Sequence, residues 1–334
     1  MVFYALALIP TMTRLRCSCK YDIIHVHNRY SYILQAHGSL PRIGAWRKLK
    51  WFYDALFGYK LLRDASRVIA LSRVEAEQYR RMGVPEEKIA IIPNGIDLSE
   101  YANLPPKGSF KKKFGIKEEE KIVLYLGRIH WIKGVDILVK AFANVIKKLD
   151  NIRLVIVGPD DGYLSELRAL IKALRIEKIC KEDGFFKYYK KPSREQIFKI
   201  LKESSLLVHP SEKETFSLAI AESLACNTPF IAYDVPSMRE ALKRFSGGVL
   251  VPYKDRKALS QKICELLNDK DKVEKLARWG RDAVESKFTW EKTAKRVEKA
   301  FEVFLTDFGG KTKHKFVWAH RLTNKVGEKF DERY

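Results

Sequence analysis

No stretch of this chain stays apolar for the ~20 residues that a membrane-spanning helix needs. Val2–Pro10 comes nearest and reaches about half that length. Arg14 and Arg16 follow that run instead of preceding it, and no A-x-A-like cleavage site comes after it. A secretory signal is therefore not expected. Cysteine is scarce too: five residues, an odd number spread over 334, make no disulfide framework. Reduced thiols and a cytoplasmic protein are the expectation. Acidic residues are in deficit, 41 Asp and Glu against 63 Lys and Arg, for a formal charge of +22. Such a balance suits phosphate-bearing partners (nucleotides, nucleic acid or an anionic membrane face), although a solubilising basic surface has the same composition. Apolar residues are plentiful at 46%, enough for the two domains that this length suggests.

Short apolar runs alternate with amphipathic stretches, the pattern of parallel strands joined by helical crossovers. In the first part, strands are expected at Tyr21–His27, Tyr32–Ala36, Arg67–Leu71 and Lys88–Pro93, with a long helical region over about Ala45–Arg63. Two prolines and a glycine make Leu104–Ser109 the best linker candidate. A second series follows, with strands at Lys121–Gly127, Ile152–Gly158, Ser205–His209, Pro229–Tyr233 and Gly248–Val251. Helical patterns occupy Val135–Lys148, Tyr163–Leu174, Ser193–Lys202, Phe216–Cys226, Arg256–Asn268, Asp271–Glu285 and Trp290–Leu305. Ser193 with Gln196 three residues on spells a capping box. The fold class is thus α/β with two Rossmann-like, doubly wound domains, the first one incomplete. The boundaries fall at 1–107, 108–287, a closing helix at 288–305 and a polar tail at 306–334.

In open parallel sheets, ligands bind at the carboxyl ends of strands, where helix N-termini also point. Two strand ends here are chemically loaded. Gly127 ends one strand, Arg128 and Lys133 follow, and Gly134 leads into a helix. Such a loop can wrap a diphosphate with two positive charges, and an ordinary basic loop reads the same way. Its glycine and lysine spacing is not that of a P-loop. The second segment runs from Pro210 through Glu214, Thr215, Phe216, Ser217 and Leu218 to Glu222, into a helix that is apolar nearly all round and hence buried. A mid-helix Glu222 there requires a hydrogen-bonding partner. Glu214 stands before the helix start, where amides can hold an anion. Glu214 as a helix cap and Glu222 as a structural acceptor is the alternative. Eight helical residues rise about 12 Å, more than the ~5–9.5 Å between paired glycosidase carboxylates. The two glutamates are therefore expected to bracket one elongated ligand, for which a nucleoside diphosphate sugar has the shape.

These segments resemble the retaining glycosyltransferases of the GT-B fold, specifically the large fourth family with its Glu-x7-Glu motif. Gly127–Arg128, Lys133–Gly134, Gly158, Pro210–Ser211, Glu214–Ser217, Glu222, Pro229, Glu240, Gly247–Pro252, Asp255 and Phe288–Trp290 carry the likeness. In the first part, Asp22–His27, Ala36–Gly38, Ser72 and Pro93–Asp97 join them. The resemblance implies two domains facing a cleft and transfer of a sugar from a UDP- or GDP-sugar, with its anomeric configuration kept. The acceptor would be a sugar, glycan, lipid or small molecule. Arg128, Lys133 and the amides of Thr215 to Leu218 would take the leaving diphosphate, with Gly127 beside them. Glu214 would hold the sugar hydroxyls and Glu222 the ribose. His37 would face the reacting sugar, and Trp290 would lie on the helix returning to the first domain.

A departing diphosphate builds negative charge, which cations and a helix N-terminus stabilise. No metal or other cofactor is then expected. Cys17, Cys19, His25 and His27 are metal-ligating types, but the family strand carries the same histidine pattern without a metal. Asp269 and Asp271 spell the metal-binding Asp-x-Asp of another glycosyltransferase fold; placed between two helices, they read as a turn and N-cap. The Arg42–Lys50 stretch, with Trp46, Trp51, Phe52 and Tyr53, suits either solvent or peripheral contact with an anionic inner membrane face. Lys111–Lys113 and Lys187–Lys191 read as solvated surface.

The first domain departs from the family. Its opening strand and glycine-rich loop are absent before Asp22, so it reads as truncated. Only Asn28–Ser31 separates the first two strands, too few for a parallel crossover of about a dozen residues. A different pairing of those strands, or the loss of one, is expected. Rival readings are a non-catalytic sugar-nucleotide binder and a polyanion-binding protein. No nucleic-acid-binding motif supports the latter, and nucleic acid is not an expected partner.

Overall fold

The computed structural model describes residues 22–24, 33–35, 59–101, 108–176, 180–182 and 193–307. They fall in two compact units, one within Met1–Asn94 and Glu291–Lys315, the other within Gly95–Trp290 and Phe316–Tyr334. Outside the described residues lie His37, Cys17, Cys19, His25, His27, the basic stretches 42–50 and 187–191, most of the 104–109 linker and nearly all of the tail.

In the first unit, β1 (Asp22–Ile24), β2 (Ile33–Gln35), β3 (Arg67–Ala70) and β4 (Ile89–Ile91) form a sheet in that order. Pairs β2–β3 and β3–β4 are parallel. β1 runs antiparallel to β2, with Asp22 opposite Gln35 and Ile24 opposite Ile33. Eight residues separate the two strands, fewer than the dozen or so of a parallel crossover, so the connection allows this antiparallel pairing and not a parallel one. Helices α1 (Tyr59–Asp64) and α2 (Arg73–Arg81) follow β2 and β3. Ser72 caps α2, its hydroxyl accepting from the Glu75 amide at 3.1 Å, and Glu75 returns a carboxylate to the Leu71 amide at 2.6 Å. Alternate residues on β2 and β3 face opposite ways. Leu34, Val68 and Ala70 join Leu62, Ala76 and Tyr79 on one side. Ile33 and Ile69 join Ile92 on the other, with Val297 and Ala300 of the last helix packed on them. Both faces are thus covered, as parallel strands require.

The second unit opens with α3 (Ser109–Phe114) and then alternates strand and helix: β5 (Lys121–Leu126), α4 (Val135–Val145), β6 (Ile152–Val157), α5 (Leu164–Ala173) and β7 (Cys180–Glu182). After these come α6 (Arg194–Glu203), β8 (Leu206–His209), α7 (Leu218–Ala225), β9 (Phe230–Tyr233), α8 (Pro236–Phe245) and β10 (Gly248–Val251). α9 (Arg256–Asn268) and α10 (Lys270–Lys287) complete the unit, and α11 (Trp290–Asp307) leads into the first. The sheet order is β10–β9–β8–β5–β6–β7 and its pairs are parallel. Ile122–Leu126, Leu206–His209 and Phe230–Tyr233 are buried without interruption, the signature of a sheet covered on both faces.

Local signals placed several ends well. Ser193 and Gln196 form the reciprocal capping box that starts α6. Asp269 starts α10 by accepting from the Lys272 amide at 2.9 Å. Asp255 caps α9 through the Ala258 amide at the same distance. Four elements lie outside the sequence expectation: α2, α3, α8 and β7. None of the described helices is long and apolar enough to cross a membrane.

Candidate functional site

The strand order of the second sheet reverses between β5 and β8, since chain connections run outward from that pair to either edge. At such a switch point the loops after two adjacent strands diverge and leave a crevice at their carboxyl ends. Here those loops are Gly127–Gly134 after β5 and Pro210–Ser217 after β8, the two segments that the sequence singles out.

Two glycines set how closely the loops meet. Gly158, at the end of β6, has φ +142°, and a Cβ on it would lie 1.9 Å from the Gly127 carbonyl oxygen. Gly134 has φ +66°, and a Cβ there would sit 2.2 Å from the Pro210 carbonyl oxygen. Only a residue without a side chain permits both the angle and the approach. The Glu212 amide also donates to the Ile132 carbonyl at 3.1 Å. The contact brings Lys133 onto the segment that carries Glu214.

Lys133 Nζ is 2.5 Å from Glu214 Oε1, with the two side chains only 16% and 13% exposed. His209, the last residue of β8, places Nε2 2.9 Å from the same Oε1 and 3.3 Å from the Ser217 hydroxyl. Burial alone would raise the Glu214 carboxyl pKa, but the Lys133 ammonium and the His209 hydrogen bond overcome it and hold the group well below the usual carboxylate range. A folded-state pKa lowered in this way adds stability above the unfolded pKa of about 4.3. That contribution is lost only as pH falls through the folded value. Carbon-13 NMR of the Glu214 side-chain carboxyl should therefore show no protonation step above about pH 4. A midpoint between pH 5 and 7 would contradict this electrostatic picture.

The helix after this segment starts later than the sequence suggests. Ser217 is its N-cap, in the left-handed region at φ +62°, so α7 begins at Leu218. Of the interval between Glu214 and Glu222, only the part from Leu218 onward is helical. The 12 Å separation expected of a continuous helix therefore does not apply. What distinguishes the two carboxylates is their partners. Glu222 is buried on α7, its Oε1 2.5 Å from Nη1 of Arg194 on α6. The same guanidinium binds Glu100 through Nη2 and lies 3.4 Å from the Tyr101 hydroxyl. Burial would lower the Arg194 pKa, but Glu222 and Glu100 raise it, so the guanidinium stays charged. Burial and the Glu222 charge push the Cys226 thiol up to about 12. The partner that a buried Glu222 requires is thus Arg194, adjacent to the Ser193 cap and not apparent in the sequence.

The remaining candidates divide between core and surface. The Phe216 ring is buried against Phe245 and Phe288, with centroids 5.6 and 5.7 Å away, so only its backbone can face a ligand. Thr215 and Leu218 are partly exposed. The Gly127 amide donates to the Val157 carbonyl at 2.9 Å and is tied into the sheet. Arg128 is exposed and paired with Asp161, a contact of about 0–1 kcal/mol at such exposure. Asp160 Oδ1 accepts from the amides of Gly162, Tyr163 and Leu164 at 2.9–3.1 Å and fixes that turn. His209, Arg194 and Asp161 were not singled out from sequence. A histidine ending the strand before Pro210–Ser211 was the one available signal.

Residues 106–285, just over half of the chain, match the family described as Glycosyl transferases group 1. The chain belongs to that family. Residues 2–100 match Glycosyltransferase Family 4. An uncharacterized glycosyltransferase of Methanocaldococcus jannaschii is 24% identical over 311 residues, covering 87% of this chain and 77% of that protein. D-inositol 3-phosphate glycosyltransferase of Segniliparus rotundus is 28% identical over 236 residues, covering 70% of this chain and 51% of the relative. The chain therefore spans about half the length of that second relative. Among solved structures, Anabaena HepE in complex with UDP and glucose superimposes with a TM-score of 0.69 at 21% identity, covering 81% of this chain and 71% of that one. This likeness establishes the GT-B fold class, and family membership places the chain among the glycosyl-group transferases.

Proposed function

We propose that this glycosyltransferase takes a sugar from a nucleoside diphosphate donor and passes it, with retention at the anomeric carbon, to a hydroxyl of a sugar, glycan, lipid or small-molecule acceptor. The observation that carries the reading is the Lys133–Glu214 pair at the switch point, where a cation and a carboxylate meet beside the start of α7. In the reaction, the bond between the anomeric carbon and the diphosphate oxygen breaks, and its electron pair leaves with the diphosphate. Arg128, Lys133 and the amides of Thr215 to Leu218 at the start of α7 take up that charge, an electrostatic role that needs no proton from the protein. Binding the diphosphate draws Arg128 from Asp161 at little cost, because that pair is exposed. Glu214 accepts from the sugar hydroxyls, and Glu222 serves the ribose side. The acceptor hydroxyl forms the new bond and passes its proton to the departing diphosphate oxygen.

UDP-sugars are the first donors to test, since HepE was solved with UDP and glucose. GDP-sugars come next. The test is turnover itself. Incubation with a donor panel and simple acceptors should release the nucleoside diphosphate, and NMR should show the anomeric configuration preserved in the product. Donor binding without hydrolysis or transfer would make the chain a sugar-nucleotide binder and overturn the catalytic reading. Inversion at the anomeric carbon would overturn retention.

A further inference from the structure

Buried histidines normally satisfy both ring nitrogens, and His209 satisfies one. The residue is 5% exposed, and its Nδ1 is fully buried with no hydrogen-bond partner among the described residues. A hydrogen placed on Nδ1 would be a buried donor with no acceptor, which is costly. The ring hydrogen therefore belongs on Nε2, which lies 2.9 Å from Glu214 Oε1. Lys133 Nζ reaches this same oxygen at 2.5 Å. Among the described residues no group binds the other carboxylate oxygen, Oε2. Two donors thus converge on one oxygen, and the ring position is explained by Glu214, not by the core around it.

We propose that His209 is a positioning residue of the donor site: with Lys133 it fixes Glu214 by Oε1 and so leaves Oε2 to accept a hydroxyl of the transferred sugar. The inference deepens the donor reading above and rests on it. A carboxylate already bound through both oxygens would have fewer lone pairs to offer the sugar, and one tied by neither would rotate. Holding it by one oxygen removes rotamer freedom before the donor arrives. Lys133 alone cannot serve, because the incoming diphosphate competes for the ammonium. His209 carries no such second duty. The Ser217 hydroxyl, 3.3 Å from Nε2, steadies the ring from the start of α7.

The test compares two amide replacements of similar polarity. In His209→Gln the side-chain amide nitrogen can occupy the place of Nε2 and donate to Glu214. In His209→Asn it reaches only the place of Nδ1. Calorimetry with UDP and UDP-glucose, or with GDP and GDP-mannose if the native protein prefers guanine, measures affinity for the nucleotide alone and for the nucleotide sugar. His209→Gln should keep both affinities and the turnover rate within about threefold of native. His209→Asn should keep nucleotide affinity, yet bind the nucleotide sugar about tenfold more weakly, the loss of one hydrogen bond's worth of ordering. Its kcat should fall at least as far. Equal behaviour of the two variants would overturn the proposal, as would a parallel loss of nucleotide and nucleotide-sugar affinity, which would mark a purely structural histidine. Failure of the native protein to bind any of the four compounds would instead sink the donor reading, and this inference with it.

Discussion

Replacing Glu214 by Gln should lower kcat/KM for the donor by about a thousandfold while leaving the free nucleoside diphosphate bound at least as tightly as before. The size follows from what is removed: a fixed, charged acceptor facing a sugar whose bonding changes in the transition state, typically worth 10²–10³ in rate. The split between the two ligands follows from the ion pair. Glu214 Oε1 engages Lys133 Nζ at 2.5 Å in the free protein, so a diphosphate must share that ammonium with the carboxylate. A neutral amide releases Lys133, and the phosphate gains what the sugar loses. A purely structural glutamate would give another pattern, with stability and both affinities declining together. Donor kinetics beside calorimetry with the free nucleotide separate the cases.

Gly158→Ala should unfold or severely loosen the second unit, whereas Gly115→Ala should be mild. Both glycines have positive φ, +142° and +62°, so each alanine incurs backbone strain. Only at Gly158 does the new Cβ meet backbone, 1.9 Å from the Gly127 oxygen; at Gly115 nothing lies within 4 Å. A carbonyl held between β5 and β6 cannot swing aside as a side chain would. The cost should exceed about 3 kcal/mol, against roughly 1 kcal/mol for strain alone. At about 2–4 °C per kcal/mol for a domain of this size, the Tm should fall by roughly 6–12 °C or more. A drop similar to that of Gly115→Ala would mean that the strand ends are not clamped together, and the crevice geometry built on that clamp would fail.

Much of the fold was legible because parallel strands leave a strong mark. Leu206–His209 and Phe230–Tyr233 are short apolar runs bounded by polar or turn-forming residues, and the structure sets their ends within a residue of the pattern. β7 was not legible: Cys180–Lys181–Glu182 carries two charges in three residues and has no run to detect. α8 was not expected, although Pro236 at its start suits the first turn of a helix. The antiparallel β1–β2 pair was half legible. The short connection excluded a crossover, but pairing itself depends on partners far from any local pattern. The late start of α7 is a backbone property of Ser217, whose left-handed φ no periodicity reports.

The same division runs through the site. Glycines, cations and glutamates stood out because they sit at strand ends in a recognisable order. A need for a partner at Glu222 was also readable, from a charge inside an apolar helix. Its identity was not, because Arg194 lies on another helix and meets Glu222 only through the tertiary fold. His209 escaped for a similar reason: as the end of an apolar strand it reads as core, and its role appears only once Glu214 Oε1 lies beside it.

Binding of nucleotide sugars to the native chain, measured by calorimetry with UDP-glucose and GDP-mannose beside UDP and GDP, tests the central claim most directly. The account predicts that at least one nucleotide sugar binds more tightly than its own nucleotide. It also predicts that Glu214→Ala removes that advantage and that Lys133→Ala weakens nucleotide and nucleotide sugar alike. No binding by any of the four, or a sugar advantage that survives in Glu214→Ala, would contradict it.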